Sequence, residues 1–396
     1  SRYGVRAILV PLFAALVVAS LWRGLRRSAA DGAHGAAGRW PFVLCGLFLG
    51  ASLYTYQAAR LLPLLVAIGF VVAAWGRGRL VWDGLMNLLI AALVALLVFA
   101  PLGIYFLEHP ETFSARAEEV LVLEEGQAVE QNVTRLWQQT RQTVLAFLVG
   151  TDQAPYRTLP GRPSLNPVFS VLLLLGVGVG FRRLKSPVYP FLIAWLILLS
   201  VPAALAGHGS PAKRAIGALP AVAMLVAAGA LGPLDRMRRW LRGGRSRRLI
   251  RGAWLLALVV GFGYVGWATY RDYFVEWASL PGLLTHFEVE RAVIGDTIRE
   301  LPSDERVYVS PELPSHPVIR FHSGQRDGVQ GYNGRVCFVV PERAETGTTY
   351  VIDPRQDRRS LDRLEKTMPQ GYPVSVVESR LGRGALAAYR IPAGSR

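Results

Sequence analysis

The sequence predicts a polytopic α-helical membrane protein of about eight transmembrane helices, followed by a small extracytoplasmic α/β domain. Three observations predict it. The chain is 52% hydrophobic, with a mean hydropathy of +0.29, too apolar for a soluble protein of this size. Its basic residues gather in short clusters between apolar runs. From about Arg271 the composition becomes that of a soluble domain.

The apolar runs fall at residues 8–22, 41–53, 61–75, 85–106, 167–181, 188–205, 215–231 and 253–270. Runs 41–53 and 61–75 are joined by Tyr54-Thr55-Tyr56-Gln57-Ala58-Ala59-Arg60. Together they cover about 35 residues, about 52 Å as helix against a hydrocarbon core of about 30 Å, so one spanning helix cannot absorb them. Two short antiparallel helices can, with residues 54–60 as the turn at one membrane face. A cation there either anchors the chain at the interface or binds something anionic.

The net charge of +16 would suggest nucleic acid in a soluble protein. Here the cations form clusters at Arg23/Arg26/Arg27, Arg77/Arg79, Arg182/Arg183/Lys185 and Arg236 to Arg251. The positive-inside rule makes these loops cytoplasmic, and the alternation runs without a violation. Nucleic acid is therefore a poor reading. The other connections then face outward: the turn at 54–60, a large loop at about 107–166, a short loop at 207–214, and everything after residue 270. The expected division is a transmembrane region at 1–271 and an extracytoplasmic domain at 272–396, in a multi-pass protein of the cell (plasma) membrane.

Within the large loop, residues 113–127 and 129–148 carry apolar side chains at helical spacing. In the second these are Val133, Leu136, Trp137, Thr140, Val144, Phe147 and Leu148, an amphipathic pattern that reads as interfacial. Residues 150–167 are rich in Pro and Gly, a stiff return to the bilayer. In the C-terminal domain, 287–301 and 360–368 read as helices. Residues 306–310, 336–340 and 349–352 read as strands, and 373–378 with 385–391 as a hairpin. Alternation of the two types gives a small α/β unit.

The two cysteines, Cys45 in an apolar run and Cys337 in a strand-like run, do not suggest a disulfide, and no Cys or His pair has metal-ligand spacing. No cofactor is read from the sequence, and a divalent metal stays an open alternative. Candidate chemistry lies on the outward side. Tyr54, Tyr56 and Arg60 form one cluster. Glu108, His109 and Arg116 form a second, Asp152, Arg157 and Arg162 a third, and His208, Lys213 and Arg214 a fourth. Lys213 and Arg214 break the positive-inside bias. They either snorkel to lipid phosphates or, with Arg60, bind the phosphate of a lipid-linked substrate. Glu108, His109 and Asp152 read equally as solvated loop groups, and His316 and His322 as surface residues. The C-terminal domain carries no phosphate loop, nucleophile elbow or metal cluster.

Four stretches in order carry a family resemblance. They are Gly50-x-x-x-Tyr54-Thr55-Tyr56-x-x-x-Arg60-x-x-Pro63, His109-Pro110-Glu111-x-Phe113-x-x-Arg116, Gly150 with Arg157 and Pro160-Gly161-Arg162-Pro163, and Arg214-Ala215-Ile216-Gly217-Ala218-Leu219-Pro220. Over about residues 9–231 the chain resembles bacterial glycosyltransferase family 39, which groups with polyprenyl-phosphate-mannose protein mannosyltransferases and the aminoarabinose transferases of lipid A. The resemblance implies a C-type glycosyltransferase fold that takes a sugar from a polyprenyl-phosphate carrier to an acceptor at the outer face. It implies Tyr54, Tyr56, Arg60, Lys213 and Arg214 at the donor phosphate, with the loop 107–166 bordering the site. The family's catalytic Asp lies in an outer loop after its first helix, and the first helix here corresponds to about its fourth. With Ser1 opening almost directly into an apolar run, the resemblance implies the C-terminal portion of a longer protein, without its general base, binding donor weakly and not turning over. The rival classes are a transporter or lipid flippase, which would carry charges at helix midpoints, and a membrane-anchored sensor whose outer domain binds ligand.

Overall fold

The computed structural model describes residues 6–31, 36–75, 78–112, 129–150, 159–206, 211–240, 244–280, 283, 286–311, 314–337, 339, 346–353, 357–378 and 384–394. It divides into two compact units, Ser1–Val275 and Glu276–Arg396.

The first unit is helical. Its long elements are α1 (Leu9–Asp31), α2 (Ala36–Ser52), α3 (Leu62–Ala74), α4 (Gly78–Glu108), α5 (Val129–Leu148), α6 (Pro167–Arg182), α7 (Val188–Ala204), α8 (Leu219–Trp240) and α9 (Gly244–Tyr270). Each expected apolar run is helical. Among the described residues, five stretches are long and apolar enough to cross a membrane: Leu9–Ser28, Gln57–Ala74, Gly84–Glu108, Ile216–Arg236 and Arg248–Ser279. The expected eight is not reached by that measure. Helices α2, α6 and α7 hold 17, 16 and 17 residues, about 24–26 Å against a hydrocarbon core of about 30 Å. Leucine and valine stand exposed along α4 and α9, as at Leu89, Leu93, Leu97, Leu256 and Val259. Apolar surface on that scale is tolerated only in contact with lipid.

Helices in a bilayer gain nothing from hiding apolar side chains and associate through close packing. Glycine supplies the approach here. A Cβ on Gly176 of α6 would lie 1.8 Å from the carbonyl oxygen of Leu225 on α8, and one on Gly229 of α8 would lie 1.9 Å from that of Leu172. Gly46 and Gly50 of α2 meet Ala91 and Ala95 of α4 in the same way, at 2.3 and 2.7 Å. Only residues without a side chain fit. The buried core joins the two pairs through α1, α3 and α7. Leu21, Phe191, Trp195, Leu62, Leu65 and Leu199 are among its fully enclosed members, and Trp22 stacks on Phe191 with centroids 5.2 Å apart.

These contacts also fix which ends coincide. Gly217, ahead of α8, faces Val10 near the start of α1 and Leu199 near the end of α7. Eleven residues along α1 and eight back along α7, Gly69 of α3 faces Leu21 and Phe191. At one end therefore lie the turn after α2, the end of α4 and the segment before α8. At the other lie the ends of α1 and α8, the α6–α7 turn and the start of α9. Arg183 bridges that second end, donating to Asp235 Oδ2 at 3.3 Å and to the Tyr189 hydroxyl at 3.2 Å. The Tyr189 bond, then Asp235, pushes its pKa up. The arginines expected in loops belong largely to helices: Arg23, Arg26 and Arg27 to the last turns of α1, Arg182 to α6.

The second unit has a five-stranded sheet in the order β2-β1-β3-β5-β4: β1 (Arg306–Ser310), β2 (Val329–Gly331), β3 (Thr348–Ile352), β4 (Tyr372–Glu378) and β5 (Gly384–Ile391). β1 pairs parallel with β2 and β3, while β5 runs antiparallel to β3 and β4. Side chains alternate as the strand period demands. Val307, Val309 and Val351 pack with Ile294, Ile298 and Ile319 of α10 (Val289–Glu300) and α11 (Pro317–His322). Tyr308, Tyr350, Ile352, Tyr389 and Ile391 face Leu364 of α12 (Arg358–Thr367) and the adjoining Met368. The expected α/β character is present, with the hairpin and both helices within a few residues of their expected bounds. Two expectations need correction. Of the strand expected at 336–340, residues 336 and 337 instead turn, their amides bonded to Asn333 O at 2.9 and 3.0 Å, and Cys337 is exposed; residues 338 and 340 lie outside the described residues. The strand beside β1 is instead Val329–Gly331, too short and polar to announce itself. The helix expected at 113–127 lies outside the described residues.

Tyr332 gives this unit a pH signature. Burial is the main cause that raises its pKa to about 12, so the fold favours the neutral phenol. A group whose folded pKa is raised stabilises below its unfolded value, near 10, and loses that contribution as pH climbs to the folded one. A polypeptide of residues 276–396 should unfold cooperatively in urea, with a midpoint flat to about pH 10 and falling from there to about pH 12. In Tyr332→Phe that fall should be shallower; an identical fall would place the titration elsewhere.

Candidate functional site

Most described candidate residues sit at the end of the helical unit that holds the turn after α2. Tyr54 is exposed there and its hydroxyl donates to Val98 O of α4 at 2.8 Å. Tyr56 is half-buried in extended backbone, where it precedes a short 3₁₀ turn at Gln57–Leu61. Arg60 lies in that turn, half-buried, its guanidinium 5.6 Å from the Phe106 ring centroid, a cation–π distance. One helical turn past Tyr105, the exposed His109 stacks on its ring at 4.6 Å beside Glu108, the last residue of α4. So Arg60, Glu108 and His109 are neighbours around the end of α4.

Lys213 and Arg214 belong to a one-turn helix, Pro211–Arg214, between α7 and α8, both half-buried. The turn between that helix and α8 is held firmly. The indole N–H of the fully buried Trp195 donates to Gly217 O at 3.1 Å, and a Cβ on Gly217 would lie 2.4 Å from Leu199. Arg214 thus stands three residues from a fixed point at the same end of the unit as Arg60. Arg162 is at this end as well, paired with Asp272 just beyond α9 at 3.1 Å. Arg116, Asp152, Arg157 and His208 lie outside the described residues. Among the described residues no group of three or more His, Cys, Asp and Glu could hold a metal ion.

The sequence did not announce a cavity of about 670 Å³ beside Arg214. Its lining runs from Ala215, Ala218 and Val222 to Ser200 and Leu196 of α7, Leu173 of α6, and Leu136, Thr140, Thr143 and Phe147 of α5. The apolar face of α5 is thus turned into the cavity over most of its length, while Val133 and Trp137 stay exposed. The amphipathic pattern was legible; its partner was not. Thr143 donates to Gln139 O at 2.8 Å, and Leu165 N donates to Phe147 O at 3.1 Å, closing α5 onto the start of α6. Nearly every wall atom is carbon. Such a cavity suits an apolar ligand, and Ala215 in its wall directly follows Arg214 in the chain.

The second unit has polar groups at the carboxyl ends of its parallel strands, where ligands bind in open α/β sheets. Ser310 donates to Asp357, Gly334 N donates to Ser310 Oγ at 3.0 Å, and Ser360 N donates to Asp357 Oδ1 at 3.2 Å. The cluster is closed: a Cβ on Gly334 would meet Ser360 Oγ at 1.7 Å. It joins β1, the turn after β2 and the first turn of α12 as a structural clasp. His316 and His322 likewise serve the fold, His316 Nδ1 accepting from Val318 N and His322 Nδ1 lying 3.1 Å from Asp296.

No protein-family model matches the chain, and no curated protein matches it. Among solved structures, the crystal structure of ArnT from Cupriavidus metallidurans in the apo state aligns with 100% of this chain and 76% of its own, at 14% identity and a TM-score of 0.41. A likeness of that size is too weak to assign a function.

Trp195→Phe would keep the ring and remove the N–H, leaving Gly217 O buried and unpaired at a cost of about 1–3 kcal/mol. The melting temperature of the purified protein in detergent should fall by several degrees. An unchanged melting temperature would show that this bond does not hold the segment behind Arg214.

Proposed function

We propose that the chain provides the donor-binding site of a membrane glycosyltransferase that uses a polyprenyl-phosphate-linked sugar, with Arg60, Lys213 and Arg214 at the donor phosphate. The observation that carries the reading is one juxtaposition. A largely apolar cavity of about 670 Å³ is lined by Ala215, the residue after Arg214, in the segment before α8 at the end of the helical unit that also holds Arg60. A lipid-phosphate donor has that same polarity, a long hydrocarbon tail ending in a charged head. The ordered motifs around Arg60, His109, Arg162 and Arg214 support the same family of chemistry.

In this reading the tail lies between α5, α6 and α7, and the phosphate stands at Arg60 and Arg214. In sugar transfer an acceptor hydroxyl bonds to the anomeric carbon and gives up its proton to a base, which the resemblance places outside these residues. The bond to the phosphate oxygen breaks, and negative charge grows on the departing phosphate. Fixed guanidinium groups stabilise that charge without having to reorganise. Arg60 is held against the Phe106 ring and Arg214 beside the Trp195-anchored turn, which suits both to that task. Tyr54 and Tyr56 flank the head, and Glu108, His109 and Arg162 border the space for the sugar. In this reading the face carrying these groups is the extracytoplasmic one.

Each arginine–phosphate pair contributes on the order of 1.5–3 kcal/mol. Arg60→Ala should weaken binding of a long polyprenyl phosphate about tenfold or more, with Arg60→Lys recovering part because it lacks the planar fork. Ile197→Trp, at an exposed position lining the cavity, should weaken the long-chain ligand while sparing a one-isoprene phosphate. Equal affinities for wild type and both variants in a titration would refute the donor site. Orientation is checked separately: exposed Cys337 should react with an impermeant maleimide in intact spheroplasts, and buried Cys45 should not. Protection of Cys337 until the membrane is broken would reverse the assignment.

A further inference from the structure

The two ends of the helical unit carry very different charge. In the segments joining helices at the Arg60 end, Arg60, those in the stretch 107–166, and Lys213 and Arg214 make eight cations against eight carboxylates. At the opposite end, segments 22–40, 75–84, 182–188 and 235–252 hold seventeen cations against three carboxylates, Asp31, Asp83 and Asp235. Asp235 is already engaged by Arg183 at 3.3 Å. Eight of the cations are arginines between Arg236 and Arg251, a stretch with no acidic residue.

The fold gathers these segments. Gly24 near the end of α1 faces Phe42 near the start of α2. Trp22 stacks on Phe191 near the start of α7. The Arg183–Asp235 bridge ties the α6–α7 turn to α8, and Trp254 Nε1, eleven residues into α9, donates at 2.8 Å to Ala230 O in the middle of α8, holding the two helices side by side. Arg26, Arg27, Arg182, Lys185, Arg248 and Arg251 are all at this end, and most of them are exposed.

Apolar side chains are interleaved with the charges. Leu249 is 67% exposed and Leu184 50% exposed. A soluble polyanion would leave such leucines in water, whereas a bilayer accepts them in its acyl region while the neighbouring cations meet headgroup phosphates. We infer that the arginine-rich end is an anionic-phospholipid-binding surface, formed by the exposed Arg26, Arg27, Arg182, Lys185, Arg248 and Arg251. The attraction acts on cations close to the phosphate plane and falls off within a Debye length. The surface is separate from the proposed donor site and does not depend on it.

The full chain, reconstituted in nanodiscs of equal phosphatidylglycerol and phosphatidylcholine and then extracted in mild detergent, tests this by mass spectrometry of the retained lipid. Wild type should keep phosphatidylglycerol over phosphatidylcholine by about fivefold or more, since a single cation near an anionic surface is worth about that factor. The ratio should approach about one in R26Q/R182Q/R248Q/R251Q. It should persist in the corresponding fourfold lysine variant, because point charge rather than fork geometry is what attracts the headgroups. If the glutamine variant does not fold, a wild-type wash raised from about 0.1 M to about 0.5 M salt decides instead, and the excess should shrink. A wild-type ratio near one, an excess indifferent to salt, or a folded glutamine variant with the wild-type ratio would overturn the assignment. So would an oligonucleotide that binds the protein in phosphatidylcholine nanodiscs and is unaffected by phosphatidylglycerol, which would favour nucleic acid.

Discussion

Backbone contact between α6 and α8 is the constraint on which the helical unit depends. Gly176 and Gly229 let the two chains approach until a methyl group on either would enter the other's carbonyl. Once that approach is set, Arg183 reaches Asp235 at one end of the pair. At the other, Ala215, Ala218 and Val222 line the cavity opposite α5. The α2–α4 pair repeats the device, and α1, α3 and α7 fill the space between with large apolar side chains. Charge is excluded from these middles and collects at the helix ends, where water or headgroups can solvate it.

Much of this was legible in the sequence, because hydropathy and charge clustering are properties of single segments. The eight apolar runs are all helical, and the tract from Tyr54 to Arg60 does turn the chain. Span length was harder to read. Helices α2, α6 and α7 hold 16 or 17 residues, and their neighbours, rather than their own length, determine how they sit. Partner choice was harder still. Thr140, Thr143 and Phe147 mark α5 as amphipathic, but only the tertiary structure shows that they face α7. Nothing local reveals that Trp195 donates to Gly217 O, since the two lie 22 residues apart.

In the α/β unit the strands with strong β-branched alternation were readable, and β2 was not. Val329-Gln330-Gly331 is a strand because β1 offers it a parallel edge, a tertiary effect that intrinsic preference does not capture. The residues around Cys337 fail in the opposite sense. They have β-like composition but turn back on Asn333, leaving Val336 80% exposed. Arg326 was equally silent in sequence, yet its guanidinium donates to the carbonyls of Ile298, Leu301, Pro302 and Glu305, satisfying the acceptors where α10 ends.

Helix α9 stands apart from the rest. Its bond to the bundle is the indole of Trp254 on Ala230 O, with Phe262 edge-on to Phe169 and Gly261 beside Val168 of α6. Beyond Arg251 much of its remaining surface is apolar and open, as at Leu256, Val259, Val260 and Trp267. Such a helix carries its own insertion signal and completes its backbone hydrogen bonds alone, so it can enter the bilayer before any tertiary contact exists. Its contacts with α6 and α8 then have only to dock a helix that is already formed.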